Sequence, residues 1–321
     1  VMMFISRSIT EPLRKLAETT KTLATGDLEA PLPNISGQDE VANLAGSFSS
    51  MREELKKHIA MLQTAATAKE RIESELRIAQ NIQMELVPKT FPPFPDRRDF
   101  ELFAMMNPAR EVGGDFYDFM MPDPEHLWVV IGDVSGKGIP AALFMAVTRT
   151  FIRAFVQEEK SPGRVLFRVN EELARNNDAN MFVTLFCGVL HLPSGVFRWA
   201  NGGHNLPFFL PLGDEPVFLP RIRGALVGAI VDLAFDESEL TLQAGEALFL
   251  YTDGVTEAMN SQQELFGNER TRAGLANLRQ RDCAGIVDGI TADLARFVDG
   301  ADQSDDITML IVRYFGPNRG K

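Results

Sequence analysis

The sequence has 321 residues, of which 45% are hydrophobic, and a formal net charge of −12. This length allows one large domain and a smaller module, and the hydrophobic content excludes a wholly disordered chain. The acidic balance argues against nucleic acid as the main partner, and two distant cysteines with four scattered histidines give no zinc or disulfide framework.

The first five residues, VMMFI, are apolar and are followed by basic residues at positions 7, 14 and 15. A bilayer span needs about 20 apolar residues, so this stretch alone cannot cross a membrane. Positive charge directly after an apolar segment is typical of the cytoplasmic flank of a span. We therefore interpret residues 1–5 as the end of a transmembrane helix. The alternative is an ordinary apolar start of a soluble chain.

Two amphipathic helices are predicted next, each with apolar residues repeating every seven positions. Their seams are Ile9, Leu13, Leu16, Thr20 and Leu23 in the first, and Val41, Leu44, Phe48, Met51 and Leu55 in the second. A Gly- and Pro-rich connector, TGDLEAPLP at 25–33, separates them. Because one such hairpin cannot bury both seams, we expect it to pair with a second copy.

Three segments of this region, ITEPLRKL, TGDLEAPL and DEVANLAGSFSSM, together resemble a HAMP domain. The HAMP family is a parallel four-helix signalling module that follows transmembrane helices. The resemblance covers residues 6–58 and implies a parallel homodimer, whereas a plain coiled-coil hairpin is the alternative.

Residues 59–95 are predicted to form a coiled-coil linker helix and a Pro-rich connector. The apolar seam continues to a helix end at Pro88 through Ile72, Leu76, Ala79, Gln83 and Leu86. Prolines at 88, 92, 93 and 95 then exclude a helix. A rigid helix here is suited to transmitting a rotation or shift, and a simple spacer is the equally direct interpretation.

After residue 99 the pattern changes to β-rich runs broken by Pro, Gly and Asp. Helices are predicted at about 138–156, 161–176, 268–278 and 283–298, and the last strand lies within 305–315. Because strands and helices occur in blocks, the sequence predicts an α+β fold and not an alternating parallel sheet.

Acidic residues lie at the ends of several predicted strands, namely Asp115, Asp118, Asp133, Asp253, Asp305 and Asp306. One Asp-Gly turn is ordinarily only a turn, but a converging set of carboxylates repels itself unless cations neutralise it. A set of oxygen ligands without histidine suits magnesium or manganese. The segment IGDVSGKG is not a P-loop, because its spacing is too short and no Ser or Thr follows the lysine.

Five segments in order resemble the SpoIIE-like branch of the metal-dependent PPM-type serine/threonine phosphatases. They are AREVGGDFYDF, IGDVSGKGIPAALFMA, NGGHNLPFF, LFLYTDGVTEAMN and SDDITMLIV. The resemblance covers residues 96–316, before a tail at 317–321. It implies an α-β-β-α sandwich, in which two antiparallel sheets carry helices outside and metals at their edge.

The resemblance also implies roles for individual residues. A two-metal centre, Mn²⁺ or Mg²⁺, would be held by the carboxylates of the catalytic residues Asp115, Asp133, Asp253 and Asp305, with the Val134 carbonyl. Asp306 is a weaker candidate ligand and Asp118 a supporting residue. A metal-activated hydroxide would attack phosphorus directly, without a phosphoenzyme.

Three further residues near these motifs have open roles. Arg110 and Lys137 are candidate contacts to the substrate phosphate, although a solvated turn lysine is an equal alternative for Lys137. We expect His204 to be structural and not a general acid. The wider superfamily often has a histidine directly after the aspartate at 133, and here that residue is Val134, so no proton donor is identified.

The combined resemblance implies a phosphatase acting on phosphoserine or phosphothreonine of an anti-sigma-factor antagonist-type protein in partner switching. A HAMP module upstream implies control by a membrane receptor, at the cytoplasmic side of the bacterial inner membrane. The alternative is a catalytically silent pseudophosphatase that serves as a dimeric docking module. A nucleotide cyclase is disfavoured because the sequence has no triphosphate-binding motif.

Overall fold

The computed structural model describes residues 9–35, 37–109, 112–175 and 177–317, which divide into two compact units after Glu75. The predicted transmembrane end at residues 1–5 lies outside the described residues. Among the helices that are described, none combines the length and apolar character needed to span a bilayer.

Two helices, α1 (Glu11–Ala24) and α2 (Glu40–Leu86), confirm the helices predicted on either side of the 25–33 connector, and α2 continues through the predicted linker helix. A proline lies in the first turn of α1, and Asp39 Oδ1 accepts a hydrogen bond from the Ala42 amide (2.9 Å) at the start of α2. The connector is held to α2 because Arg52 Nη1 donates to the Ala30 carbonyl (3.0 Å). Helix α2 runs for 47 residues and ends two residues before Pro88.

Ten strands form two five-stranded antiparallel sheets in the described residues. The first sheet has the order β1-β10-β9-β6-β7, with β1 at Phe100–Asn107, β6 at Phe208–Leu210, β7 at Val217–Phe218, β9 at Ala247–Tyr251 and β10 at Ile307–Tyr314. The second has the order β2-β3-β4-β5-β8, with β2 at Phe116–Asp123, β3 at His126–Val134, β4 at Val183–His191, β5 at Val196–Gly202 and β8 at Glu237–Thr241.

Helices cover the outer face of each sheet, which confirms the predicted α+β sandwich. Helices α3 (Ile139–Phe155) and α4 (Pro162–Ala174) pack on the second sheet, and α7 (Cys283–Val298) packs on β1 and β10, with α6 (Gly267–Leu278) against α7. The Ser161 hydroxyl caps α4 by accepting from the Arg164 amide (3.1 Å), as its sequence predicts. A four-residue helix, α5 (Asp253–Thr256), and the short β7 were not predicted.

The core lies mainly between the sheets, where the apolar side chains of β2–β5 meet those of β1, β9 and β10. A second cluster lies between α7 and the outer face of the first sheet. The Pro-rich connector also contributes, because Val87 is buried and Phe91 and Phe94 pack against the core. Tyr117 Oη donates to the Pro88 carbonyl (2.6 Å) and so ties this connector to β2.

Candidate active site

Four of the predicted aspartates lie at one end of the sandwich. Asp115 precedes β2, Asp133 is the penultimate residue of β3, Asp253 opens α5 just after β9, and Asp305 lies just before β10. The register sets this arrangement, since Phe116 pairs with Gly132, and Tyr251 pairs with Met309. The antiparallel pairs therefore bring strand starts and strand ends to the same edge.

Asp115 is buried between the two sheets, with 2% of its surface exposed. Its Oδ2 accepts hydrogen bonds from the Thr252 hydroxyl (2.7 Å) and the Thr308 hydroxyl (2.6 Å). Burial and then the charge of Asp133 raise the pKa of Asp115 well above its usual range, and the two hydroxyls oppose this rise. Sequence reasoning missed both threonines, although each lies beside a predicted carboxylate strand end.

Two glycines let the backbone approach closely at this edge. A Cβ on Gly114 would lie 2.6 Å from the Val134 carbonyl oxygen, and a Cβ on Gly113 would lie 1.8 Å from Asp306 Oδ2. A side chain at either position would therefore collide with a group of the site. The Val134 carbonyl lies beside the chain that leads into Asp115, a placement compatible with its predicted role.

The carboxylates of Asp133 and Asp253 share the electrostatic environment of Asp115. Burial, then the charges of Asp253 and Asp305, raise the pKa of Asp133 to about 7, although a hydrogen bond with Asp115 lowers it. Burial, then Glu257 and Asp305, raise the pKa of Asp253, with Lys137 opposing. Within the described part of the chain, neither Asp115 nor Asp133 has a Lys or Arg in ion-pair range, so this pair has no counter-charge from those residues.

The Asp305 carboxylate lies on the solvent-exposed side of the carboxylate cluster and forms an ion pair with Lys137. Lys137 Nζ is 3.0 Å from Asp305 Oδ1 and also donates to the Ser304 carbonyl at 3.0 Å. The candidate substrate contact at Lys137 is thus engaged with a candidate metal ligand. Arg110, the other candidate substrate contact, lies outside the described residues.

The candidate ligands of this site are oxygen atoms of carboxylates and of the Val134 backbone. Nowhere in residues 9–35, 37–109, 112–175 and 177–317 do three His, Cys, Asp or Glu side chains lie close enough to hold a metal ion as they stand. The donor chemistry nevertheless fits, because oxygen ligands are those that Mg²⁺ and Mn²⁺ prefer. Asp115 is buried, and the partly buried Asp133 beside it has no Lys or Arg partner among the described residues. The site is therefore an open carboxylate cluster that a hard cation would suit.

Asp306 and Asp118 have structural partners that account for their burial. Asp306 accepts from the Ala109 amide at Oδ1 (2.8 Å) and from the Gly114 amide at Oδ2 (3.1 Å). Both oxygens thus hold the chain that leads to Asp115, which favours a supporting role for Asp306 over metal ligation. Asp118 binds Arg149 (2.9 Å) and Arg153 (2.6 Å) of α3, so it anchors that helix to β2.

The remaining candidate nucleophiles and acids are buried and neutral. His204 Nδ1 lies 2.8 Å from the Thr184 hydroxyl, and burial lowers the pKa of His204 to about 4. This environment agrees with the predicted structural role. Burial also raises the pKa values of the Cys187 and Cys283 thiols, which opposes formation of a nucleophilic thiolate at either residue.

Comparison with known proteins identifies two families in this chain. The family described as "Stage II sporulation protein E (SpoIIE)" matches residues 123–315, and the HAMP domain family matches residues 4–57. Among solved structures, the SiaA-PP2C domain of Pseudomonas aeruginosa superposes with a TM-score of 0.68, covering 77% of this chain and 98% of that one. Its sequence identity is 22%, so this likeness concerns the fold.

Two curated relatives extend the match in sequence. Protein IcfG of Synechocystis sp. is 32% identical over 94% of this chain and 51% of its own length. Phosphoserine phosphatase RsbU of Bacillus subtilis is 31% identical over 61% of this chain and 57% of its own length. The chain thus spans about half the length of these relatives. With the family match over most of its second unit, the chain belongs to the SpoIIE-type branch of the PPM phosphatases, and a HAMP domain precedes its phosphatase domain.

Proposed function

We propose that this chain is a metal-dependent protein serine/threonine phosphatase whose centre is formed by Asp115, Asp133, Asp253 and Asp305. The observation that carries the proposal is the buried Asp115 beside the partly buried Asp133 at the joined sheet edges, where the charges of Asp253 and Asp305 act on Asp133. A cluster of like charges is costly unless a cation or a proton compensates it. The proposed cofactors are two Mn²⁺ or Mg²⁺ ions, with the Val134 carbonyl as a further ligand and Asp306 as a supporting residue.

The proposed metal ions and the residues of the site have separate roles in phosphoester hydrolysis. Bound cations would supply an activated water and neutralise charge on the phosphoryl group. Asp115 is fixed by Thr252 and Thr308, so it needs little reorganisation to act as a ligand. Direct attack of water forms one P–O bond and breaks the ester P–O bond, and the Ser or Thr oxygen leaves with a proton. The burial and pKa values of both cysteines agree with a route that has no phosphoenzyme.

Lys137 is proposed to exchange partners when substrate binds. Its ammonium group neutralises Asp305, and an incoming phosphate would offer it a stronger anionic partner. Release of Asp305 would then make its carboxylate available to a cation. Arg110 is a second proposed phosphate contact, on the basis of its position five residues before Asp115.

Upstream control is proposed to reach the site through the end of α2. Gln83 is the buried residue of this helix, and its Nε2 donates to the Gly113 carbonyl (2.8 Å) while its Oε1 accepts from the Gly113 amide (3.2 Å). Gly113 adjoins Gly114 and then Asp115. A displacement of α2 near Gln83 would therefore act on the segment that positions Asp115.

We propose a partner-switching setting for this activity, supported by the similarity to Phosphoserine phosphatase RsbU. The proposed substrate is a phosphorylated anti-sigma-factor antagonist-type protein, and the acidic chain is not proposed to bind nucleic acid. The HAMP domain supports a parallel homodimer, joined through that domain and α2 and controlled by a membrane receptor. The proposed location is the cytoplasmic side of the bacterial inner membrane.

One observation favours a second candidate, a silent pseudophosphatase that docks a partner. Lys137 pairs with Asp305, and the described carboxylates do not enclose a cation as they stand. A docking module would keep the fold and the acidic cluster without turnover.

The test is manganese-dependent hydrolysis of an aryl phosphate by the full chain and by Asp253→Asn, at matched dimer content. We expect the variant to lose more than about a hundredfold in kcat/KM, because a lost metal ligand removes charge stabilisation of the transition state. Asp288→Asn, which removes an exposed carboxylate of α7 outside the site and the cavities, is the matched control and should keep wild-type activity. Equal rates in wild type and Asp253→Asn would reject the enzyme and leave the docking module.

A further inference from the structure

A cavity of about 230 Å³ lies directly beside the carboxylate cluster. It is bounded by the end of β1, by α5 and the residues that follow it, by the C-terminal half of α7, and by the loop before β10. Two of its lining residues, Gly254 and Asp305, belong to the segments that carry the proposed metal ligands. A group bound in this cavity would therefore adjoin the reacting phosphate.

The walls of the cavity are mainly apolar. Its apolar lining includes Met105, Met259, Leu294, Ala295, Val298 and Ile307. Met259 is 39% exposed and Ala295 is exposed on the surface of α7, so apolar surface is present at the mouth. Methionine side chains adapt their shape to different apolar partners. The volume is below the roughly 300–1,000 Å³ of typical small-molecule sites and suits one hydrophobic side chain.

The rim of the cavity on the carboxylate side is polar and organised. Gln303 Nε2 donates to the Asn107 carbonyl (2.9 Å) and to the Asp305 carbonyl (2.7 Å), while Asn107 Nδ2 donates to Gln303 Oε1 (3.0 Å). These bonds connect the end of β1 to the residue that Lys137 neutralises. The cavity therefore has a fixed spatial relation to the proposed phosphate site.

We propose that this cavity binds a hydrophobic side chain of the phosphoprotein substrate, close in sequence to the phosphorylated Ser or Thr. The inference rests on the proposed phosphatase function and adds a recognition element to it. A phosphorylated residue bound at the carboxylates carries its neighbouring side chains with it, and the adjoining apolar walls stabilise a hydrophobic neighbour by removing it from water. An aryl phosphate has no such neighbour and does not depend on the cavity.

The test compares the full chain with Ala295→Phe, which would fill the cavity from an exposed helical position. Ala292→Phe is the matched control, because Ala292 is also exposed on α7 but does not line the cavity. Substrates are phosphoserine heptapeptides in which a single leucine is moved through positions −3 to +3 among alanines, together with an aryl phosphate.

For the wild type, we expect leucine at one flanking position to raise kcat/KM about tenfold over an all-alanine peptide, as burial of a hydrophobic side chain implies. Ala295→Phe should abolish that preference and leave aryl phosphate hydrolysis within about twofold, and Ala292→Phe should behave as wild type. The inference is overturned if no position prefers leucine, if Ala292→Phe has the same effect, or if Ala295→Phe slows aryl phosphate hydrolysis equally.

Failure of the phosphatase proposal can be told apart from failure of this inference. If the wild type hydrolyses no aryl phosphate, the enzyme proposal fails, and binding of the same peptides carrying fluorescein is then measured by anisotropy in EDTA. Tighter binding of a leucine peptide that Ala295→Phe removes would support the cavity as a peptide site. Equal binding of all peptides would overturn it.

Discussion

The two units of this chain differ in how many of their apolar side chains are buried. In the phosphatase unit, strands such as β3 and β9 place nearly every side chain out of water. Through Glu75, only Leu16 and Ala30 among the described hydrophobic residues are buried. Large apolar side chains stay exposed along α1 and α2, namely Leu13, Leu44, Met51, Leu55, Met61, Leu62 and Ile72, as does Ile9 just before α1.

The difference shows that one unit completes its core from its own chain, whereas the other leaves an apolar seam exposed. A sandwich of two sheets and covering helices encloses a core by itself. A two-helix unit has too little interior, and heptad seams of this kind are ordinarily buried by another helix. The exposed seam thus supports the proposed homodimer.

Leu127→Ala in β3 should have the largest effect. Leu127 is fully buried between the sheets, and a Leu→Ala change in a close-packed core typically costs about 2–5 kcal/mol. Urea unfolding followed by tryptophan fluorescence should show this loss, because both tryptophans lie in the same core. A loss below about 1 kcal/mol would mean that this core is loosely packed.

Asp133→Asn should change how stability depends on pH in EDTA. The pKa of Asp133 is raised to about 7 in the fold, above its ordinary value of about 3.9. The folded state therefore keeps a proton that the unfolded state releases, and the free energy of unfolding falls as pH rises from about 4 to about 7.

Removing this carboxylate should leave stability unchanged at pH 4 and raise it by on the order of 2 kcal/mol at pH 7.5, a figure reduced for solvent screening of this partly exposed side chain. Stability curves measured from pH 4 to 8 provide the check. Parallel curves for wild type and variant would show that Asp133 titrates normally.

Gln83→Leu should loosen the segment that leads to Asp115. The change leaves the Gly113 carbonyl and amide without their partner, at a cost of about 1–2 kcal/mol. Hydrogen exchange at residues 113–115 should become faster by roughly tenfold. Gln80→Leu, one turn earlier on α2, provides a comparison, and equal exchange in both variants would remove the proposed link between α2 and the site.

Leu62→Ala in α2 should have the smallest effect on the folding of a single chain. Leu62 is 69% exposed, and alanine is at least as good a helix former, so we expect a change within about 0.5 kcal/mol. The dimer should nevertheless dissociate at higher concentration, as sedimentation velocity would show. Unchanged association would place the dimer contact elsewhere.

Local patterns predicted most of the elements. Apolar periodicity and Gly and Pro breaks placed α3 and α7 within a residue or two, because these segments have strong local preferences and pack on a core that is consistent with them. The four strand-end aspartates lie at one end of the sandwich because antiparallel pairing brings neighbouring strand ends together, whereas their role as metal ligands stays a prediction.

The partners of the site residues were not predictable in the same way. The hydroxyls of Thr252 and Thr308 reach Asp115 across more than 130 positions of sequence, and Asp118 meets Arg149 and Arg153 only after α3 packs on β2. No local rule distinguishes these residues from ordinary Thr, Asp and Arg. The same holds for Gln83, which appears in the sequence as one position of a helical seam.

The packing of Val87, Phe91 and Phe94 onto the sandwich has a practical consequence for exchanging sensory modules. A phosphatase fragment cut at residue 96 would discard these side chains together with the Pro88 carbonyl that Tyr117 uses, and it would uncover part of Phe119. Grafts onto other input domains should therefore be joined upstream of Leu76, within the exposed stretch of α2. The phosphatase unit would then retain the Pro-rich connector that packs against its core.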